Sequence, residues 1–163
     1  MAAPSSILEL ASDVQRITHE IVDHINSLGS EHPTLDASSP LVPQTPQYAS
    51  LRASLNDAAN DLIRLVNGPK THFQSFVCEH TDLAVMQTAL ELDFFAKVPT
   101  DSTISLTSLS EKCGVDEDRI GRIMRFLVTL RIFREPEPDV FGHTAQSILF
   151  VNEPGLYAAA HYQ

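Results

Sequence analysis

Histidine, cysteine and carboxylate side chains are the residues of this sequence that could bind a metal ion. Their closest cluster is His72, Cys78, Glu79 and His80. In a helix, Cys78 and His80 would lie on different faces because they are two positions apart, and no second pair completes the four ligands of a structural zinc site. We therefore expect no metal site here and interpret the cluster as polar surface residues or helix caps.

Nucleophilic catalysis has equally little support. Cys78 and Cys113 are the only cysteines among 163 residues that also contain seven histidines, so Cys-His pairs arise incidentally, and no Ser-His-Asp order is distinctive. Two cysteines are too few for a disulfide scaffold, and we expect both to be reduced, buried thiols. His143 precedes Thr144 where a predicted hairpin returns to a helix, so we expect it to pack or hydrogen-bond there while Thr144 caps the helix. We predict no catalytic residue.

Arginines at intervals of three are typical of a helix that reads DNA. Arg119, Arg122 and Arg125 have this spacing, and Arg131 and Arg134 follow. The acidic neighbours are Asp116, Glu117, Asp118, Glu135, Glu137 and Asp139. The whole chain carries 11 − 21 = −10 charges, which repels a polyanion. We expect a solvated or subunit-facing arginine row and no nucleic-acid partner, and a winged-helix DNA-binding regulator is the alternative.

Length and composition indicate one domain with an appendage. The chain has 163 residues, of which 43% are hydrophobic and 20% charged, enough apolar character for a packed core. No run of eighteen apolar residues could cross a bilayer, and the N-terminus lacks the basic and apolar regions of a signal peptide. We therefore expect a cytoplasmic protein without a membrane partner.

The N-terminal residues 1–28 carry a heptad pattern that predicts an amphipathic helix. Its seam consists of Ile7, Leu10, Val14, Ile17, Ile21 and Leu28. Ser5 or Ser6 is a suitable N-cap, and Gly29 suits the position after the helix end. The apolar stripe must be covered, either by the rest of its own domain or by a second subunit. We predict a dimerisation helix, followed at 29–47 by a proline-rich linker.

Three further helices are predicted in the middle of the chain. The first spans 48–67 and ends at Gly68 and Pro69, and a shorter one follows up to Cys78. The third spans 82–97 with Thr81 as its N-cap. Because apolar residues lie on most of its sides, we expect a central core helix. One face of that helix carries Leu83, Met86, Leu90 and Phe94.

The carboxyl half follows the order of a winged helix. A short strand at 104–106 precedes a helix that begins at Thr107 and ends at Gly114, and Asp116 caps the next helix. That helix buries Ile120, Ile123, Met124, Leu127 and Leu130. A β-hairpin is expected to follow, with strands at 132–133 and 140–141 and with Pro136 and Pro138 at its tip. The predicted fold class is mainly α: a winged-helix domain with a small hairpin wing, preceded by the long N-terminal helix.

Three segments together support a family resemblance: SLSEKCGVD at 108–116, RIMRFLVTL at 122–130 and PDVFGHT at 138–144. They resemble the N-terminal winged-helix dimerisation domain of SAM-dependent O-methyltransferases of the caffeic-acid and fungal polyketide type. The resemblance covers about residues 48–150, and we assign 48–163 to this domain. It implies an assembly module whose partner is a second copy of the chain or a full-length O-methyltransferase.

The same resemblance implies a parent enzyme that methylates a hydroxyl of an aromatic or secondary-metabolite substrate with SAM. The six glycines of this chain never approach the G-x-G-x-x-G spacing of a cofactor-binding loop, so we expect no cofactor-binding residue and no catalysis by this chain alone. Met86, Leu90 and Phe94 could line one wall of a partner's substrate pocket, or simply pack in the core.

Overall fold

The computed structural model describes residues 6–161, which form two compact units. The first unit combines the chain up to Pro33 with Pro40–Cys78, and the second combines Thr34–Ser39 with the chain from Glu79 onward. This division differs from the predicted domain limits at 28/29 and 47/48. Residues 48–78 group with the N-terminal helix, and six residues of the linker belong to the second unit.

Helix α1 of the first unit spans Ile7–Ser27, as the heptad pattern predicts. Its N-cap is Ser6, whose hydroxyl oxygen accepts a hydrogen bond from the Glu9 amide at 3.2 Å, while the Ser6 amide donates to the Glu9 carboxylate at 2.7 Å. This capping box satisfies two amides of the first turn. Leu28 closes the helix, and Gly29 adopts the predicted left-handed conformation with φ 62°.

The apolar seam of α1 is covered unevenly. Leu10, Ile17 and the adjacent Ile25 are buried, whereas Ile7 remains 50% and Leu28 46% exposed. Val14 and Ile21 are half-buried. At the one seam position without an apolar residue, the imidazole Nε2 of His24 lies 2.8 Å from the hydroxyl oxygen of Thr45. The helix prediction is confirmed, and the assignment of the seam to a second subunit stays a prediction.

Helix α2 spans Pro46–Glu91 and is kinked at Gly68. Gly68 has φ 67° and ψ 168°, a conformation that favours glycine, and Pro69 has no amide hydrogen to continue the helical bonds. The predicted stop at Gly68 is therefore a kink after which the helix resumes. The separate helices predicted up to Cys78 and from 82 are wrong, because Thr81 lies inside α2 and caps nothing.

The predicted core helix at 82–97 is interrupted. Asp93 adopts a left-handed conformation with φ 55°, and a short helix, α3, then spans Phe94–Lys97. Leu83 is 71% exposed, whereas Leu90 and Phe94 are buried. The predicted helix therefore contacts the core from Val85 onward, and the chain turns at Asp93 to bring Phe94 and Phe95 inside.

The rest of the second unit is a winged helix. Its elements are β1 at Thr103–Ser105, α4 at Leu106–Cys113, α5 at Glu117–Thr129, β2 at Phe133–Glu137, β3 at Val140–His143, α6 at Ala145–Asn152 and α7 at Pro154–His161. The strands form an antiparallel sheet in the order β1-β3-β2, with Ile104 opposite Phe141 and Phe133 opposite His143. The predicted mainly α fold class is confirmed.

Local details of the winged helix correct three predictions and confirm two. Ser105, not Thr107, caps α4, because its hydroxyl accepts the Ser108 amide at 3.2 Å. Pro136 lies within β2 and not at the hairpin tip. Strand β2 is at the edge of the sheet, and an edge strand tolerates a proline, which has no amide hydrogen to donate. Strand β1, which was predicted one residue later, begins at Thr103. The predicted caps Gly114 and Asp116 are confirmed.

The core of the second unit contains aromatic and aliphatic side chains from all of these elements. Phe95 lies at the centre, with its ring 5.3 Å from that of Phe133 and 4.7 Å from that of Phe150. The buried members are Ala89, Leu90, Phe94, Phe95, Val98, Ile104, Leu109, Ile120, Met124, Leu127, Phe133 and Phe141. This core is complete within the unit's own residues.

Candidate functional site

An exposed apolar face of α2 is the strongest candidate for a functional surface. It consists of Phe73, Phe76 and Val77, which are 65%, 61% and 52% exposed. We call these three residues the α2 face. Their i, i+3, i+4 spacing places them on one side of the helix, and every residue from 71 to 80 is exposed. Two phenylalanines and a valine left in water side by side mark an interaction surface.

The cluster of His72, Cys78, Glu79 and His80 lies on the same stretch of helix and is also exposed. Among residues 6–161, no three His, Cys, Asp or Glu side chains are arranged to hold a metal ion. Cys78 is an exposed thiol, so the prediction that it is buried is wrong; Cys113 is half-buried, and both are free. Burial raises the pKa of the Cys113 thiol, which disfavours the reactive thiolate.

His143 is a buried structural histidine. Its Nδ1 lies 2.9 Å from the Ser147 hydroxyl, its Nε2 lies 3.1 Å from the Val98 carbonyl oxygen, and its side chain is 2% exposed. Burial lowers the pKa of His143. Thr144 caps α6, accepting the Ser147 amide at 3.4 Å. The expected packing and capping roles of these two residues are confirmed.

Two of the three arginines in the α5 row pair with carboxylates. Arg125 bonds to Asp139 in the hairpin turn and lies 3.5 Å from Glu135, while Arg122 lies 3.4 Å from Asp118. These carboxylates offset the charge of two side chains that a DNA-reading helix would present, and the wing itself carries negative charge. The surface gives no support to the DNA-binding alternative.

The three residues predicted as a substrate-pocket wall lie at the core of the second unit. Leu90 is 2% and Phe94 0% exposed, and the half-buried Met86 packs against the same core. The packing interpretation accounts for their positions. Their role in a substrate pocket stays a prediction.

Comparison with known proteins identifies this arrangement. Residues 75–153 match the family model of the O-methyltransferase dimerisation domain. Over this segment the chain is similar to the O-methyltransferase dimerisation domain. The match begins within the α2 face, between Phe73 and Phe76, and ends just after α6, so it includes the strands β1–β3 and the helices α4–α6.

Fungal O-methyltransferases resemble nearly the whole chain. O-methyltransferase sol2 of Alternaria solani is 34% identical over 99% of this chain, and O-methyltransferase aurJ of Gibberella zeae is 27% identical over 99%. The crystal structure of OxaC superposes with a TM-score of 0.60 at 19% identity, over 87% of this chain and 33% of OxaC, and shares its fold. The chain spans 38% of the length of each of the two curated relatives.

Membrane insertion was also tested against the structure. Within the part of the chain that is described, no helix is long and apolar enough to span a bilayer. The cytoplasmic location stays a prediction.

The α2 face was missed as a site by the sequence reasoning. Phe73, Phe76 and Val77 lie in the short helix that the sequence predicts up to Cys78, and no surface role is predicted for them. The available signal was the i, i+3, i+4 spacing itself, combined with the lack of any helix breaker between Pro69 and Glu91. If the helix continues through Thr81, its apolar residues form one continuous face, and they do not divide into two short helices that each pack separately.

Proposed function

We propose that this chain is the assembly module of a SAM-dependent O-methyltransferase and that it forms a homodimer through the α2 face. The observation that carries the proposal is the exposure of Phe73 and Phe76, at 65% and 61%, at the start of a segment that matches the model of a dimerisation-domain family. A second copy is the partner that presents the same apolar face, and a two-fold axis would bring the two faces together.

The size of the α2 face is compatible with a contribution to a stable dimer. Phe73, Phe76 and Val77 expose on the order of 300 Å² of apolar surface. At about 25 cal/mol per Å², burial of this area contributes roughly 7 kcal/mol per copy before association entropy is subtracted. Because stable interfaces bury about 800 Å² per partner, neighbouring residues must join the contact.

The seam of α1 is a weaker candidate for the primary contact. Leu10, Ile17 and Ile25 are already buried in the single chain, at 7%, 5% and 2% exposure. The accessible seam that remains for a second subunit consists of the exposed Ile7 and Leu28 and the half-buried Val14 and Ile21. We infer that α1 contributes less to the dimer than the α2 face does.

Light scattering across a concentration series tests the proposal directly. The wild-type chain should have a mass near twice 18.0 kDa, and Phe76→Asp should shift it toward a single chain. Because Phe76 is exposed, the substitution should leave the far-ultraviolet circular dichroism unchanged. Leu41→Asp is the matched control, since Leu41 is 80% exposed in the linker, and it should keep the wild-type mass.

A second comparison distinguishes the homodimer from pairing with a longer methyltransferase. A tagged full-length relative, mixed with this chain, would exchange subunits and give a mixed mass if both use the α2 face. A wild-type chain that is monomeric alone but joins the longer enzyme would replace the homodimer proposal by the heterodimer. An unchanged dimer mass in Phe76→Asp would overturn the assignment to the α2 face.

Methyl transfer itself is not assigned to residues of this chain. None of the six glycines lies in the G-x-G-x-x-G spacing of a cofactor-binding loop, so we propose no cofactor-binding or catalytic role for them. In the proposed assembly, the module contributes association, and the aromatic or secondary-metabolite substrate belongs to the parent enzyme.

A further inference from the structure

A polar cleft in the second unit is independent of the α2 face. It encloses about 440 Å³, within the range of small-molecule sites. One wall is formed by Asp36 and its neighbours in the linker segment Thr34–Ser39, and the opposite wall by the loop Thr100–Ser102. Arg134 and His143 of the sheet form the floor.

The linker wall is attached to the winged helix by backbone bonds. Asp36 pairs with Thr144 in an isolated antiparallel bridge, and the Ala145 amide donates to the Leu35 carbonyl oxygen at 3.0 Å. Within the segment, the Ser39 amide donates to the Asp36 carbonyl oxygen at 2.9 Å. The wall is therefore a defined turn.

The exposed side chain of Arg134 is hydrogen-bonded to the neighbouring strand. Its Nε donates to the His143 carbonyl oxygen at 3.0 Å. Gly142, directly opposite on β3, provides the space, because a Cβ there would lie 3.4 Å from that Nε and 3.2 Å from the Thr103 methyl group. Gly142 does not have a positive φ, so close approach of the Thr103 methyl group explains its small size better than backbone conformation does.

Arg134 also differs from the arginines on helices α1, α2 and α5 that form ion pairs. Arg16, Arg64, Arg122 and Arg125 each pair with a carboxylate, whereas none of the ion pairs among residues 6–161 involves Arg134. Asp36 and Asp101 line the same cleft without pairing with it. The cleft thus combines a positioned cation with two separate carboxylate acceptors.

We propose that this cleft binds a small carboxylic acid that carries hydroxyl groups. The terminal nitrogens of Arg134 suit a carboxylate, which guanidinium binds through two parallel hydrogen bonds. Asp36 and Asp101 accept hydrogen bonds from the ligand's hydroxyls, and they disfavour an anion that lacks donors. Both ring nitrogens of His143 are already engaged, so the histidine supports the floor without binding the ligand.

The test is a titration of the ¹⁵N-labelled chain with tartrate, followed by NMR. The Arg134 Nε–H signal and the amides of Thr103 and Gly142 should shift and saturate at millimolar tartrate. Succinate, which has the same carbon chain and carboxylates without the hydroxyls, should bind at least tenfold more weakly. Equal binding of the two acids would overturn the role of the hydroxyls, and no saturable shift with tartrate would overturn the site.

Two variants separate this site from general charge effects. Arg134→Gln should weaken tartrate binding at least tenfold, because it removes the guanidinium that binds the carboxylate. Arg122→Gln is the control, since it removes an exposed arginine outside the cleft and should bind as wild type does. An equal loss of tartrate binding in Arg122→Gln would show that tartrate binds non-specifically. The amide spectrum of each variant reports whether it is folded.

Discussion

The two compact units bury their apolar residues very differently. In the first unit, the buried apolar side chains among the described residues are Leu10, Ile17, Ile25 and Tyr48. In the second, twelve buried side chains form one continuous core. Both units contain amphipathic helices, but only the second has an extended buried core. The difference indicates that the winged helix is stabilised mainly by its own core, whereas the first unit leaves more of its apolar surface to a partner.

The same substitution in the two units should give the largest contrast. Phe94→Ala removes a fully buried ring and should lower the free energy of unfolding by about 3 to 5 kcal/mol. Phe73→Ala removes an exposed ring and should change it by less than about 0.5 kcal/mol in the monomer. Urea unfolding at low protein concentration, followed by circular dichroism, measures both. Similar losses would show that Phe73 is already covered within one chain.

A smaller contrast is expected within α1. Ile25→Ala should lower the free energy of unfolding by about 2 kcal/mol, since Ile25 is 2% exposed but has few buried neighbours in its unit. Leu8→Ala should have an effect below about 0.5 kcal/mol, because Leu8 is 81% exposed. Thermal unfolding of both variants tests this. If Leu8→Ala were the more damaging, the assignment of the buried side of α1 would be reversed.

Loss of a helix cap should lower the free energy of unfolding by about the same amount in either unit. Ser6→Ala removes the cap of α1 and Asp116→Ala removes the cap of α5, and each should lower stability by about 1 kcal/mol. The reason is that capping satisfies local amides, which does not depend on how much core the unit has. A Thr107→Ala variant is the control and should show no capping loss. Amide hydrogen exchange at the first turn of each helix gives the local readout.

The weakest predicted effect is a pH dependence confined to the second unit. Burial lowers the pKa of His143 in the folded chain, so the unfolded chain takes up the proton first as pH falls through about 6.5. Stability is therefore complete above that pH and decreases below it. Urea midpoints between pH 7 and pH 5 should fall more steeply for wild type than for His143→Gln. Parallel curves would show that His143 does not contribute to the pH dependence.

The sequence predicted those features of the fold that are encoded by residues close together in the chain. The limits of α1, the caps at Gly114, Asp116 and Thr144, and the winged-helix order all follow from residues within a few positions of each other. The wrong predictions involve Thr81 and Thr107, which have suitable side chains for caps but lie inside helices. Side-chain type permits a cap, and only the backbone path decides whether a helix begins there.

The candidate site was less predictable than the fold. The spacing of Phe73, Phe76 and Val77 shows that they share a helix face, but spacing is the same for a face that packs and a face that stays exposed. Likewise, Arg134 appeared as one of five arginines near the wing. Its position depends on Gly142 and the His143 carbonyl oxygen, which come near it only when the two strands pair.

By itself, the sequence determined the helical periodicity, the caps and the order of elements, because these depend on backbone bonds and side chains close together in the chain. The motifs at 108–116, 122–130 and 138–144 also determined the family resemblance. The tertiary structure alone decided that Leu90 and Phe94 are covered while Phe73 and Phe76 are not, and that Thr34–Ser39 forms one wall of the Arg134 cleft. Burial and cleft formation depend on which distant segments meet, and that is a property of the folded chain.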